Sequence, residues 1–136
     1  MSNIAIYAIL LAIFGYAHAQ TNLDNKPLYI EKIISVYDGD TFRASLGNCG
    51  RSLMCENIRI RLARIDTPEI RTADLEERKA AKIARDKLYE IMSTAYLLEL
   101  KDCQRGKYFR LICDVRADGL SISDLLIDEG LGVPYE

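Results

Sequence analysis

A chain of 136 residues is long enough for one domain with a real hydrophobic core. Nearly half of it is apolar (49%), which excludes intrinsic disorder as the default. The formal net charge is −2, so the overall field does not draw the protein to polyanions; contact with nucleic acid would need a local cationic cluster or a bound cation.

The first nineteen residues, MSNIAIYAILLAIFGYAHA, contain no Asp, Glu, Lys or Arg, an apolar run from Ile4 to Ala17, and then Ala17-His18-Ala19. That run is short for a bilayer span, and A-x-A is the small-residue pattern of a secretory cleavage site. Residues 1–19 are therefore expected to be a signal peptide cleaved near Ala19, with an uncleaved membrane anchor as the alternative. The mature protein is expected to be exported, periplasmic or secreted, free of the membrane and monomeric. Cleavage removes His18, the sole histidine. A mature chain without histidine has no histidine general base, no histidine zinc ligand and no Ser-His or Cys-His pair.

Residues 20–28 read as a short polar segment ending near Pro27. LYIEKIISVYD (28–38) is β-branched and aromatic enough for a strand, and Asp38-Gly39 is a turn signal before a second strand at DTFRASL. GNCGRSLMCEN (47–57) reads as a loop. IRIRLARI (58–65) alternates, with Ile60 and Leu62 on one face and Arg59 and Arg61 on the other. From Ala73 to about Met92 the period changes to helical, and Leu75, Ala80, Ile83, Ala84, Leu88 and Ile91 trace an apolar stripe. AYLLELKDC and YFRLICDVRA follow as two strands around a QRGK turn. A short helix then begins after the second DG, with Ser121 or Ser123 as its cap and Gly130 as its stop. The order fits an α+β, mainly β fold: a five-stranded OB-type barrel with a long helix between strands 3 and 4 and a short C-terminal helix.

Cys49, Cys55, Cys103 and Cys113 all lie after the leader. An even count in an exported chain favours disulfides. Three pairings are possible, and the simplest joins sequence neighbours, Cys49–Cys55 and Cys103–Cys113. The absence of any C-x2-C pair makes zinc a poor reading.

Taken singly, the polar motifs read as turn chemistry. YDGDTF suits a hairpin corner, and IDTPE suits a strand end with Pro68 preventing continuation. Taken together, Asp40, Asp66 and Glu69 offer hard oxygen donors with the Thr67 carbonyl between them, a set suited to Ca²⁺ or a similar cation. Arg61 and Arg110, from different strands, could reach one phosphate beside it, since the guanidinium fork donates in pairs to phosphate oxygens. Such a combination answers the negative charge that gathers in phosphodiester cleavage. On a flat strand Arg61 and Asp66 would lie roughly 16 Å apart on opposite faces, so they can meet only if the strand ends or curls near Asp66.

At these residues the chain resembles the staphylococcal nuclease (thermonuclease) family. YDGDTF resembles its DGDT turn, RLARIDTPE its R-x4-DTPE segment, and GKYFR its K-Y-x-R segment; ADG before a short helix and EGLGVPY resemble its closing portion. The likeness spans about Tyr29 to Tyr135, giving a domain over 29–136. It implies Asp40 and Asp66 as calcium carboxylates and Thr67 as a carbonyl ligand. It further implies Glu69 as general base or orienter of the attacking water, and Arg61 and Arg110 as phosphate ligands that stabilise the transition state. Lys107 and Tyr108 would contact a terminal phosphate and Tyr135 would flank the nucleotide. The implied activity is Ca²⁺-dependent hydrolysis of DNA and/or RNA with little sequence preference, leaving 3′-phosphates. The alternative is a catalytically inactive OB module that binds nucleic acid or protein. The chain departs from the family in a longer span between Asp40 and Arg61, in Phe109 where glycine is common, and in a short segment between Glu69 and the helix.

Overall fold

The computed structural model describes residues 27–49 and 55–136; the expected signal peptide lies outside the described residues. Chain order is β1 (Leu28–Val36), β2 (Thr41–Gly47), β3 (Ile58–Leu62), β4 (Ile65–Asp66), α1 (Leu75–Thr94), β5 (Leu98–Arg105), a 3-10 turn (Lys107–Phe109), β6 (Leu111–Ala117), β7 (Leu120–Ser121), α2 (Ile122–Asp128) and β8 (Val133–Pro134). Five strands close on themselves. β3, β2, β1, β5 and β6 are neighbours in turn, and parallel pairing of β3 with β6 (Ile60↔Leu111, Leu62↔Cys113) completes the ring. This is the expected five-stranded barrel, with α1 after the third barrel strand and before the fourth, β5.

Alternation builds the wall. Phe42, Ala44 and Leu46 of β2 and Ile60 and Leu62 of β3 point inward and are buried, while Thr41, Arg43, Arg59 and Arg61 face outward. α1 plugs the barrel with Ala81, Ala84, Leu88 and Met92, and α2 adds Ile122 and Leu126. The apolar stripe expected on α1 is therefore shifted. Ala84 and Leu88 belong to the buried face, but Leu75 and Ile83 are 64% and 59% exposed, and the lower end of the stripe runs through Met92. A small residue explains the choice: Ala84 lets α1 approach the β1–β2 turn, where a Cβ on Gly39 would lie 2.7 Å from the Ala84 Cβ and 2.9 Å from Thr67 Cγ2. Gly39 is thus required by close approach rather than by a special φ.

Element ends differ from the sequence reading where the backbone turns left-handed. The strand expected over 58–65 stops at Leu62 because Arg64 takes φ 65°; the chain then resumes as β4, which pairs with β8. The strand expected from Tyr108 begins at Leu111, because Tyr108 and Phe109 carry φ 59° and 57° in the 3-10 turn. A glycine would sit more easily at Phe109. The second DG is a two-residue hairpin turn, with Asp118 at φ 50° and Gly119 at φ 85° between the paired Ala117 and Leu120.

Capping also departs in detail. The unforeseen N-cap of α1 is Asp74, whose carboxylate accepts from the Glu76 and Glu77 N–H groups. Ser121 occupies the N-cap position of α2, but its hydroxyl donates instead to Asp114 Oδ1 (2.9 Å). The Ser123 hydroxyl donates to the Ala63 carbonyl (2.7 Å), tying α2 to the β3–β4 turn. Gly130, at φ 71°, ends α2 with Leu131 N–H donating to the Leu126 carbonyl, a Schellman closure.

Both disulfides join sequence neighbours, Cys49–Cys55 and Cys103–Cys113. The second spans a bulge. Lys101 pairs with Asp114 and Gln104 with Ile112, so Asp102 and Cys103 together oppose Cys113. It staples the base of the hairpin whose tip carries Lys107, Tyr108 and Arg110.

The two faces of α1 should respond differently to truncation. Leu88→Ala, at a fully buried site, is expected to cost about 2–5 kcal/mol, whereas Ile83→Ala should cost well under half of that. Chemical denaturation of both variants measures the difference, and equal losses would misplace the buried face.

Candidate nucleic-acid site

Arg61 stands at the centre of the outward face. Its Nη1 donates to the Leu62 carbonyl (3.2 Å) and the Ile65 carbonyl (3.0 Å), so the β3–β4 turn holds the guanidinium by main-chain atoms. Its Nη2 lies 3.4 Å from Asp66 Oδ1 and 3.6 Å from Asp40 Oδ2. The early end of β3 at Leu62 brings Asp66 back to the arginine. Asp40 arrives from the turn immediately before β2, whose first residue, Thr41, pairs with Arg61. Two carboxylates from separate segments, the β1–β2 turn and β4, thus converge on one point.

Asp40 is almost fully buried and firmly held. Thr41 Oγ1 donates to its Oδ1 (3.0 Å) and the Thr67 N–H donates to its Oδ2 (3.1 Å). Asp66 is half-exposed. Thr67 is buried, and its Oγ1 has no hydrogen-bond partner. Glu69 is exposed; its N–H donates to Glu77 Oε1 (3.3 Å), and its residue lines the same cleft as Asp40 and Arg61.

That cleft, of about 410 Å³, is also lined by Arg43, Arg59, Arg71 and Arg110. A second, of about 930 Å³, shares Arg61 and Arg110 with it and adds Arg64, Arg116 and Tyr135. The two shared arginines therefore form the divide between the clefts. The Arg110 Nε is buried without a partner, an unsatisfied donor of the kind that calls for a ligand, a water or a small shift of the side chain. Pairing of β4 with β8 sets the Tyr135 ring 5.5 Å from the Arg61 guanidinium carbon, within cation–π range. Lys107 and Tyr108 are exposed at the β5–β6 tip and are not among the residues lining either cleft.

The model of one protein family, described as staphylococcal nuclease homologue, matches residues 59–136. The chain belongs to the staphylococcal nuclease homologue family. The match begins at Arg59 and takes in Arg61, Asp66, Thr67, Glu69, Lys107, Tyr108, Arg110 and Tyr135; Asp40 lies before it and is brought in by β2–β3 pairing. No curated protein matches the chain significantly. Family membership carries a nuclease-like fold and implies nucleic acid as the substrate class.

The donor set suits a hard cation. Asp40, Asp66 and the Thr67 main chain supply oxygen only, and the orphaned Thr67 hydroxyl adds another oxygen nearby. Among the described residues no three His, Cys, Asp or Glu side chains come close enough to chelate an ion, so water would have to complete its shell.

Sequence reasoning passed over Asp38, Arg43, Arg59 and Arg71 as site residues. The period-two alternation that placed Arg61 outward also places Arg59 and Arg43 there, so that signal was present. Asp38 is buried, accepts the Asp40 N–H (3.1 Å), and carries a pKa raised from 3.8 to about 7, first by burial and next by the Asp40 charge. Its folded pKa is raised, so the folded state holds a proton that the unfolded state releases between about pH 4 and 7. Its contribution is therefore full near pH 4 and is lost as pH rises through 7. In chelator, Asp38→Asn should melt higher than wild type at pH 8, with the difference shrinking towards pH 4. Thermal melts across that range test this, and a gap independent of pH would contradict it.

Proposed function

We propose that the protein is an exported, Ca²⁺-dependent nuclease that hydrolyses phosphodiesters of DNA and/or RNA with low sequence specificity, leaving 3′-phosphates. The observation that carries this reading is the convergence of Asp40 and Asp66 on the Arg61 guanidinium beside the unpartnered Arg110 Nε. An acid pair for a cation and a guanidinium pair for a phosphate then adjoin one another, with Arg61 common to both. Membership of the nuclease family supports it. Export is supported by two disulfides, which belong in an oxidising compartment, and by the leader-like residues 1–19; residues 29–136 would be the working domain. No helix among the described residues is long and apolar enough to cross a membrane.

In this mechanism Asp40, Asp66 and the Thr67 carbonyl would hold the cation, which when bound would supply charge neutralisation and acidification of water. Arg61, its fork fixed by two carbonyls, donates to the non-bridging oxygens of the scissile phosphate. Arg110 donates from the other side and steadies the leaving 5′-oxygen. Glu69 orients the attacking water or accepts its proton. The water oxygen bonds to phosphorus as the bond to the 5′-oxygen breaks, and that oxygen leaves with a proton from solvent. Lys107 and Tyr108 at the exposed tip of the hairpin would meet a terminal phosphate only if substrate extends past the divide, and Tyr135 would flank a nucleotide in the larger cleft.

Digestion of plasmid and RNA with Ca²⁺ and then with chelator tests the reading. Cleavage should require Ca²⁺, and Arg61→Ala or Arg110→Ala should each lose about 3–4 kcal/mol of transition-state stabilisation, on the order of 10²–10³ in kcat. Wild-type activity in both variants would remove the arginines from the mechanism. Binding of nucleic acid without cleavage by the wild-type protein would favour the inactive OB module instead.

A further inference from the structure

The smaller cleft continues past the acid–arginine centre along the outer wall of the barrel. Pairing of β2 with β3 sets Arg43 directly opposite Arg59, one same-face rung beyond Thr41 and Arg61. Like charges directly opposite on one sheet face repel and destabilise the pair. Among the described residues neither arginine has a carboxylate within 4.0 Å. Arg43 is nonetheless held in place, its Nη1 donating to the Asn57 carbonyl (3.1 Å) and Asn57 Oδ1 (3.3 Å). Arg59 is exposed beside it, and Arg71 on the cleft lining stands over the Tyr37 ring at 6.0 Å.

Two arginines paired across adjacent strands, with no carboxylate within 4.0 Å of either, suit a bridging anion, and their donors match phosphate oxygens. Same-face rungs on a strand are about 6.6 Å apart, comparable to the separation of successive phosphates on an extended nucleic-acid strand. The cleft of about 410 Å³ is lined by both of these arginines as well as by Arg61, so two neighbouring phosphates of one strand can be held along it. We propose that Arg43 and Arg59 form a second phosphate subsite, which holds the phosphate adjoining the one at Arg61. The preferred substrate is then the interior of a single strand rather than an isolated phosphodiester. This rests on the nuclease reading for the identity of the Arg61 phosphate.

The test compares wild type with the double variant Arg43→Ala/Arg59→Ala, using a fluorescent thymidine octanucleotide and a thymidine dinucleotide that has a single phosphate. Binding is read in chelator, by anisotropy for the octanucleotide across a salt series and by chemical-shift titration for the dinucleotide. Loss of one phosphate contact should flatten the octanucleotide's slope of log K against log salt by about 0.7, with dinucleotide binding unchanged. With Ca²⁺, KM for a long single strand should rise while kcat holds. An unchanged salt slope, or an equal loss of dinucleotide binding, overturns the subsite. Arg59→Gln alone, which keeps a polar residue on the strand, provides the same readouts if the double variant does not fold. Because binding is read without turnover, a wild-type protein that shows the slope difference but never cleaves defeats the nuclease reading and leaves the subsite standing.

Discussion

The site depends on how one guanidinium is held. Arg61 would be an ordinary outward strand residue were it not for the left-handed Arg64, which ends β3 and folds the Ile65 carbonyl and Asp66 back beneath its side chain. Main-chain carbonyls on one edge and carboxylates on another fix the fork in advance. A preorganised donor of this kind loses little on meeting a phosphate, which is where electrostatic catalysis gains most of its strength. The same turn is tied to the rest of the fold by the Ser123 hydroxyl on the Ala63 carbonyl and by Arg64 with Asp124.

Packing behind the site serves that geometry. Gly39 leaves room for Ala84 of α1 and for the Thr67 side chain, so the helix presses the β1–β2 turn and the segment after β4 together. Asp40 and Thr67 are held side by side as a result, joined by a hydrogen bond between them. A side chain at Gly39 would push apart the two segments that carry the acids. On the opposite flank the Cys103–Cys113 disulfide spans the β5 bulge three residues after Arg110, and so limits the freedom of the hairpin that presents it.

Much of this was legible in the residues themselves. The alternation of Arg59, Ile60, Arg61 and Leu62 placed the arginines outward, the change of period after Ala73 located α1, and neighbouring cysteines paired as the simplest option suggested. What period and propensity could not convey were left-handed residues. Arg64, Tyr108 and Phe109 are not residues that advertise positive φ, so the breaks at Leu62 and before Leu111 were missed. Leu75 and Ile83 looked as apolar as Leu88, but the close seat at Gly39 selected the small Ala84 for the buried side. The convergence of Asp40 with Asp66 is a tertiary fact, set by the register of β2 on β3 and by the turn after Leu62, and no local pattern contains it.

Calorimetric titration with Ca²⁺ addresses the central claim, that the carboxylates of Asp40 and Asp66 serve one ion at the face of Arg61. The account predicts a single site in the wild-type protein that is lost or greatly weakened in both Asp40→Asn and Asp66→Asn. Undiminished Ca²⁺ binding in either variant would contradict it.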